Sequence, residues 1–215
     1  AIPAALGLLI ALAVSIVSDC TDECTEFQSI FETGGLFFFC AWQWGASPAG
    51  IAWCVFSACL VTLALIDWDT TLLPDDITLP LLWLGLVAAA LQWTPVGLST
   101  ALWGAVAGYL SLWSIYWLFK LVTGKEGMGY GDFKLFAALG AWFGWPVLIP
   151  MILMASVIGA VVGIAMKLNA SLREGGYVPF GPFLAGAGFS ALVFGPQALR
   201  QMQVVFIQRD RKSVV

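Results

Sequence analysis

Long apolar segments recur along almost the whole chain, and they constrain its fold more than any other feature. A helix needs about 20 mostly apolar residues to cross a bilayer, and eight segments approach that length and hydropathy. They lie at residues 1–18, 30–45, 49–66, 78–93, 97–121, 132–145, 147–166 and 179–196. Segment 30–45 carries an acidic residue and 132–145 begins with charged ones. We therefore predict an all-α, polytopic membrane helical bundle of seven or eight transmembrane helices.

The composition agrees with a lipid environment and excludes several classes of function. Apolar residues make up 60% of the chain and charged residues only 10%, whereas a soluble domain carries about 25% charged residues. The net charge is −4, without a basic run that could follow a phosphate backbone, so no nucleic-acid partner is expected. The chain has no His, which excludes Ser-His-Asp triads and His-based zinc sites.

The first 45 residues differ in character from the rest. The chain starts at Ala1 and its first methionine is Met128, so we expect a processed chain or a fragment. Residues 1–18 are read as a spanning helix, because they lack the basic start of a signal peptide. Cys20 and Cys24 form a single C-x3-C pair in an acidic loop. A closed structural zinc site needs four ligands, so no metal site is predicted.

Lys and Arg residues indicate the orientation of the bundle. The loops 122–131 and 167–178 carry basic residues and are separated by two predicted spans, which places both on the cytoplasmic side. Counting back two spans puts the loop 67–77 there as well. If 179–196 crosses the membrane completely, the basic C-terminal tail lies on the opposite side, which disagrees with this orientation. Either that span is re-entrant or the tail is atypical.

Two aspartates lie at the boundaries of apolar segments. Asp67 directly follows LVTLALI, and Asp132 directly precedes FKLFAALGAWFGW. Charged residues at span ends often only mark the membrane interface, but a carboxylate slightly inside the hydrocarbon is costly and indicates function. The sequence before Asp132 is GMGYG, and glycines there, including Gly129 and Gly131, would allow positive φ and a close approach of another chain segment.

Two such carboxylates can hydrolyse a peptide bond without His or metal. Like charges a few ångströms apart do not both ionise easily, so the pair shares one proton. The ionised member takes a proton from water, and the protonated member polarises the carbonyl group. Asp67 and Asp132 are therefore the candidate catalytic pair.

Two long stretches resemble the type IV prepilin peptidases, a family of GxGD-type aspartic membrane proteases. They are LIDWDTTLLPDDITLPLLWLGL (65–86) and LVTGKEGMGYGDFKLFAALGAWFGW (121–145), and VPFGPFLAGAG (178–188) is similar as well. The resemblance places the catalytic aspartates at Asp67 and Asp132. Asp69, an alternative first aspartate, and Asp75 lie in the first motif, and Gly129, Gly131 and Lys134 lie in the second.

The resemblance also implies substrate, location and organisation. Members remove a basic leader from type IV prepilins or type II secretion pseudopilins, after a Gly, at the cytoplasmic face of the bacterial inner membrane. Proteolysis needs no cofactor, and many members also methylate the new N-terminus with S-adenosylmethionine. Members usually carry two CxxC pairs after the first span, whereas this chain has only Cys20 and Cys24. The expected parts are an atypical N-terminal region (1–45), a peptidase domain (46–196) and a tail (197–215).

Two other functions would use the same residues differently. A proton-coupled transporter could employ Asp67 or Asp132, but it would be expected to contain inverted repeats, and the sequence has none. A non-catalytic subunit of a pilus or secretion assembly would not need both aspartates.

Overall fold

The computed structural model describes residues 34–35, 38–124, 128–168 and 179–195, and within these ranges the chain is helical without any strand. A helical stretch at residues 38–44 precedes six α-helices, and a short 3-10 turn at Trp145–Val147 precedes the fifth of them. The helices are α1 (Pro48–Thr70), α2 (Asp75–Ala90), α3 (Leu98–Thr123), α4 (Tyr130–Phe143), α5 (Leu148–Leu168) and α6 (Gly181–Phe194). The predicted all-α class is confirmed.

Helix α1 has clear start and stop signals in its sequence. The side chain of Ser47 accepts a hydrogen bond from the Gly50 N–H, and Pro48 occupies the first helical position, where its missing N–H costs nothing. The helix ends where Thr71 adopts a left-handed conformation and its N–H donates to the Asp67 carbonyl. Its 23 residues correspond to about 34 Å at 1.5 Å per residue, enough to cross a bilayer.

Helix α4 lies at the centre of the bundle. Every residue from Leu135 to Phe143 is buried, and the helix packs most extensively against α3 and α2, with α5 and α6 also in contact. A helix that is apolar on all sides is expected in such an interior position. The first turn of α4 therefore lies at one end of the bundle, and the rest of the helix runs through the core.

Glycines allow α3 and α4 to approach one another closely. A Cβ atom on Gly104 would collide with the carbonyl of Gly140, and one on Gly140 would collide with the carbonyl of Gly104. One turn further along, a Cβ on Gly108 would lie 2.7 Å from the carbonyl oxygen of Phe136. Small residues at four-residue spacing permit this kind of backbone contact between membrane helices.

The contact between α2 and α4 depends on one indole ring. The Trp142 Nε1–H donates a hydrogen bond of 3.0 Å to the Leu81 carbonyl, and a Cβ on Gly85 would lie 2.6 Å from the same ring. The glycine provides the space for the ring, and the carbonyl satisfies its only polar atom. Such a buried indole packs well because its N–H has a partner.

The outer surface of the bundle is apolar. Large exposed hydrophobic side chains are concentrated on α3 and α5, among them Trp103, Leu110, Leu118, Ile149, Val157 and Val161. Three of the described helices are long and apolar enough to cross a membrane: Pro48–Thr70, Leu98–Thr123 and, counted with the preceding turn, Trp145–Leu168. An apolar surface of this extent suits lipid rather than water, so the chain is an integral membrane protein.

Six of the eight predicted segments correspond to α1–α6, with ends that differ by a few residues. The segment 1–18 lies outside the described residues, as do parts of 30–45. Helices α2, α4 and α6 have 16, 14 and 14 residues. Because three described helices meet the length and hydropathy of a span, the count of seven or eight spans stays a prediction.

We expect Gly104→Ala to destabilise the bundle by about 1–3 kcal/mol, the usual cost of overpacking, because the added methyl group would strike the Gly140 backbone. Thermal unfolding in detergent measures this change. Ala107→Leu is the matched control, because Ala107 lies exposed on the same helix. Equal unfolding temperatures for both variants and the parent would contradict the close packing.

Candidate active site

Three helix ends meet at one end of the bundle and bring two carboxyl groups into its interior. Asp67 lies in the last turn of α1, Asp132 in the first turn of α4, and Gly181 is the first residue of α6. Asp67 and Asp132 are 4% and 5% exposed. Burial of this degree is rare for Asp unless it has a partner, so each carboxyl group must be stabilised locally.

Asp67 is held by the start of α6. The Gly181 N–H donates a hydrogen bond of 2.9 Å to Asp67 Oδ2. A Cβ atom on Gly181 would lie 2.5 Å from the same oxygen, so a residue with a side chain would push the carboxyl group away. The free N–H groups and the positive dipole end of a helix N-terminus favour an adjacent carboxylate.

Asp132 is held in an analogous way by its own helix. It is the third residue of α4, and its side chain accepts a hydrogen bond from the backbone N–H of Gly129, the N-cap. This arrangement is one half of a capping box. The other oxygen, Oδ1, is buried and has no hydrogen-bond partner within the described ranges. A buried polar atom without a partner costs about 1–3 kcal/mol, and such atoms are often explained by function.

The two carboxyl groups are close enough to interact electrostatically. Each accepts a hydrogen bond from the backbone of a glycine, and they belong to helices far apart in sequence. Because two neighbouring carboxylates repel one another in an apolar surrounding, they are expected to titrate as one coupled unit that shares a proton. This arrangement can supply a base and an acid at the same time.

The remaining residues of the two motifs lie around this pair. Asp69 is exposed at the end of α1, whereas Asp67 is buried beside Asp132. Asp75, at the start of α2, pairs with Lys134, whose Nζ lies 2.6 Å from Oδ1. The structure therefore brings Asp67, Asp132, Gly129, Gly131, Asp75 and Lys134 to one end of the bundle. It favours Asp67 over Asp69 as the partner of Asp132.

The expected positive φ is wrong for Gly129 and Gly131, the two described glycines of this turn. Gly129 has φ −75° and Gly131 is helical, so neither uses a positive φ. A Cβ on Gly131 would lie 2.5 Å from the Cβ of Leu73, which identifies close packing as the reason. The positive φ in this region belongs to Gly124, at 70°, which ends α3. For Gly131, the predicted close approach of another segment is found.

Sequence reasoning did not assign a role to Gly181 or Leu73. Gly181 lies in the VPFGPFLAGAG stretch, which resembled the family without indicating a contact, and no local pattern connects it to a residue 114 positions earlier. Tyr130 was also missed: its hydroxyl lies 3.2 Å from that of Tyr116, which accepts from Lys120. These contacts depend on how helices pack and not on spacing along the chain.

The predicted absence of metal is not tested. Cys20 and Cys24 lie outside the described residues. Among the residues described, no three His, Cys, Asp or Glu side chains form a group that could hold a metal ion.

Comparison with known proteins agrees with the motifs. Residues 54–164, slightly more than half of the chain, match the type IV leader peptidase family. A protein from Stutzerimonas stutzeri called prepilin leader peptidase/N-methyltransferase is 53% identical over 164 residues, covering 76% of this chain and 56% of the relative. Relatives of the same name from Pseudomonas aeruginosa and Aeromonas hydrophila are 51% identical over 162 residues and 55% identical over 141.

The aligned regions cover 75% and 66% of this chain, and 56% and 48% of those two relatives. The chain thus spans about half the length of the curated relatives it matches. No solved structure matches it. The family match includes α1, which carries Asp67, and α4, which carries Asp132. On the basis of this match, the chain belongs to the type IV leader peptidase family.

Proposed function

We propose that the chain is a membrane aspartic endopeptidase in which Asp67 and Asp132 hydrolyse a peptide bond. The observation that carries this proposal is the burial of both carboxyl groups in electrostatic contact, each with one backbone N–H donor. A structural role would normally pair a buried carboxylate with a cation. Here Lys134, two residues after Asp132 on α4, is instead bound to Asp75.

The proposed reaction follows from a pair that shares one proton. The ionised carboxylate takes a proton from a water molecule, whose oxygen attacks the scissile carbonyl carbon. The protonated carboxyl group donates its proton to the carbonyl oxygen as the tetrahedral intermediate forms. When the C–N bond breaks, the leaving nitrogen receives a proton from the pair, and one hydroxyl of the collapsing intermediate returns a proton to it, which restores the singly protonated pair. Asp132 Oδ1 is suited to contact the reacting atoms, because it has no hydrogen-bond partner among the described residues.

The proposed substrates are type IV prepilins or type II secretion pseudopilins. The relatives are named prepilin leader peptidase/N-methyltransferase, and the resemblance of the motifs implies a cut after Gly, before an apolar helix. Glycine weakens a helix by about 1 kcal/mol relative to Ala, which would help the cut site become extended. We place the chain as a multi-pass protein in the bacterial inner membrane, surrounded by lipid, with the aspartates at the cytoplasmic face.

We further propose that residues 46–196 form the peptidase domain, between the N-terminal region 1–45 and the tail 197–215. The names of the relatives also include an N-methyltransferase activity, which would require S-adenosylmethionine as methyl donor. The described site consists of two carboxyl groups with backbone donors, which suits hydrolysis and assigns no residue to a methyl donor. We therefore assign it to proteolysis, for which no cofactor is needed.

Asp67→Asn and Asp132→Asn should each lower kcat by about four orders of magnitude or more, because members of one catalytic unit are not independently dispensable. Cleavage of a synthetic prepilin by the full chain in detergent measures this. Asp76→Asn, at an exposed position near the same end, is the control. An active Asp67→Asn variant would contradict its role and direct attention to Asp69. A transporter or an assembly subunit would show no cleavage by the parent chain.

Gly131→Ala should lower kcat at least about tenfold, because a methyl group 2.5 Å from Leu73 must displace the first turn of α4 and small misplacements of catalytic groups are costly. Gly129→Ala is the matched control, since its Cβ would make an ordinary 3.7 Å contact with Asp132. The double variant Leu73→Gly with Gly131→Ala should recover activity, because glycine removes the Leu73 Cβ atom that the new methyl group would strike. Equal kcat for Gly131→Ala and Gly129→Ala would contradict the packing explanation.

The pH dependence of kcat/KM should be bell-shaped. At low pH both carboxyl groups are protonated and no base remains, and at high pH both are ionised and no acid remains. The active form carries one proton and dominates between these limits. Cleavage of one synthetic prepilin across the pH range in which the protein stays folded measures the profile. A rate independent of pH would exclude a shared proton.

A further inference from the structure

Two contacts join the segment from the loop after α1 to the first residue of α2 with the first two turns of α4, one on each side of Asp132 along the helix. Gly131 packs on Leu73, where a Cβ would be only 2.5 Å from the leucine side chain. Lys134 Nζ contacts both carboxylate oxygens of Asp75, at 2.6 and 2.5 Å. The loop begins four residues after Asp67, so these contacts connect the surroundings of the two aspartates.

The ion pair is too exposed to contribute much to global stability. The side chains of Lys134 and Asp75 are 27% and 52% exposed, and ion pairs in such positions contribute little to the free energy of unfolding. The pair nevertheless joins residues 59 positions apart, at the start of α2 and in the first turns of α4. Its effect is therefore expected in local geometry.

Local geometry matters here because two carboxyl groups repel one another when both are ionised. At the opposite end of the bundle, α1 and α4 are connected by ring contacts of Trp53 and Phe56 with Trp142, at centroid distances of 4.8 and 4.6 Å. At the aspartate end, mutual repulsion favours separation. A contact that ties the loop after Asp67 to the turn carrying Asp132 opposes that separation.

We propose that Lys134 and Asp75 are positioning residues whose ion pair sets the separation of the Asp67 and Asp132 carboxyl groups. The inference rests on the proposed function. It gives the Lys134–Asp75 ion pair a role in catalysis without contact with the scissile bond of the substrate. Loss of the pair should lower kcat and leave KM nearly unchanged. It should also weaken the coupling between the aspartates, which brings the two limbs of the pH profile closer together.

The direct electrostatic effect of each charge predicts a different result. Removing the Lys134 cation would shift both limbs to higher pH, and removing the Asp75 carboxylate would shift both to lower pH. Loss of a positioning contact narrows the profile in both variants. Among the described elements around the site, α6 carries no ionisable group, the Lys120 ammonium on α3 donates to Tyr116, and Asp69, Asp76 and Tyr130 are exposed.

The experiment compares Lys134→Gln and Asp75→Asn with Lys134→Arg and Asp76→Asn, using the full chain in detergent and one synthetic prepilin with a basic leader. Lys134→Arg retains a pair, since guanidinium binds a carboxylate at two points. Asp76→Asn removes a charge from the neighbouring exposed position of α2. Unfolding temperatures are measured for every variant, and kcat is expressed per folded enzyme.

We expect Lys134→Gln and Asp75→Asn each to lower kcat by about ten- to a hundredfold, with KM changed less than about twofold and a narrower pH profile. Lys134→Arg should retain most of the parent kcat. The positioning role would be overturned if Lys134→Gln and Asp75→Asn had the same kcat and pH profile as Asp76→Asn. It would also be overturned if their pH profiles shifted in opposite directions without becoming narrower. Active Asp67→Asn and Asp132→Asn variants would instead overturn the proposed function itself.

Discussion

The cost of placing two carboxyl groups inside an apolar bundle governs the arrangement at this end of the molecule. An ionised carboxylate loses its water on burial and requires compensating partners. The backbone provides them here, because Gly181 at the start of α6 and Gly129 at the start of α4 each donate one N–H. Helix N-termini have N–H groups to spare, so within the part of the chain that the structure describes, backbone donors and not a cation stabilise both carboxyl groups.

The central helix explains how such a helix end comes to lie at the edge of the core. Helix α4 is short, and all residues from Leu135 onward are buried. Gly104 and Gly140 let its backbone touch that of α3, and the Trp142 indole ties it to α2. A helix fixed on several sides cannot easily shift along its axis. The position of Asp132 is consequently set by packing contacts nearer the C-terminal end of α4, away from the site itself.

Sequence reasoning anticipated the helices that matter and the two aspartates that meet. Apolar length predicted α1 to α6, because the cost of exposing unpaired backbone to lipid leaves helices as the available structure. The position of Asp67 directly after the apolar run favoured it but left Asp69 as an alternative, since two residues at the end of a helix differ by rotation around its axis. Packing decides that difference: Asp67 turns inward and Asp69 remains exposed.

Sequence by itself determined an all-α membrane protein without His, with Asp67 and Asp132 at the ends of apolar segments. Those properties depend on composition and on order along the chain. Only the tertiary structure decided that Gly181, 114 residues after Asp67, provides its hydrogen bond, and that Gly131 is required by Leu73 and not by a positive φ. Contacts between distant segments follow from how helix surfaces fit together, and a single sequence carries no local signal of that fit.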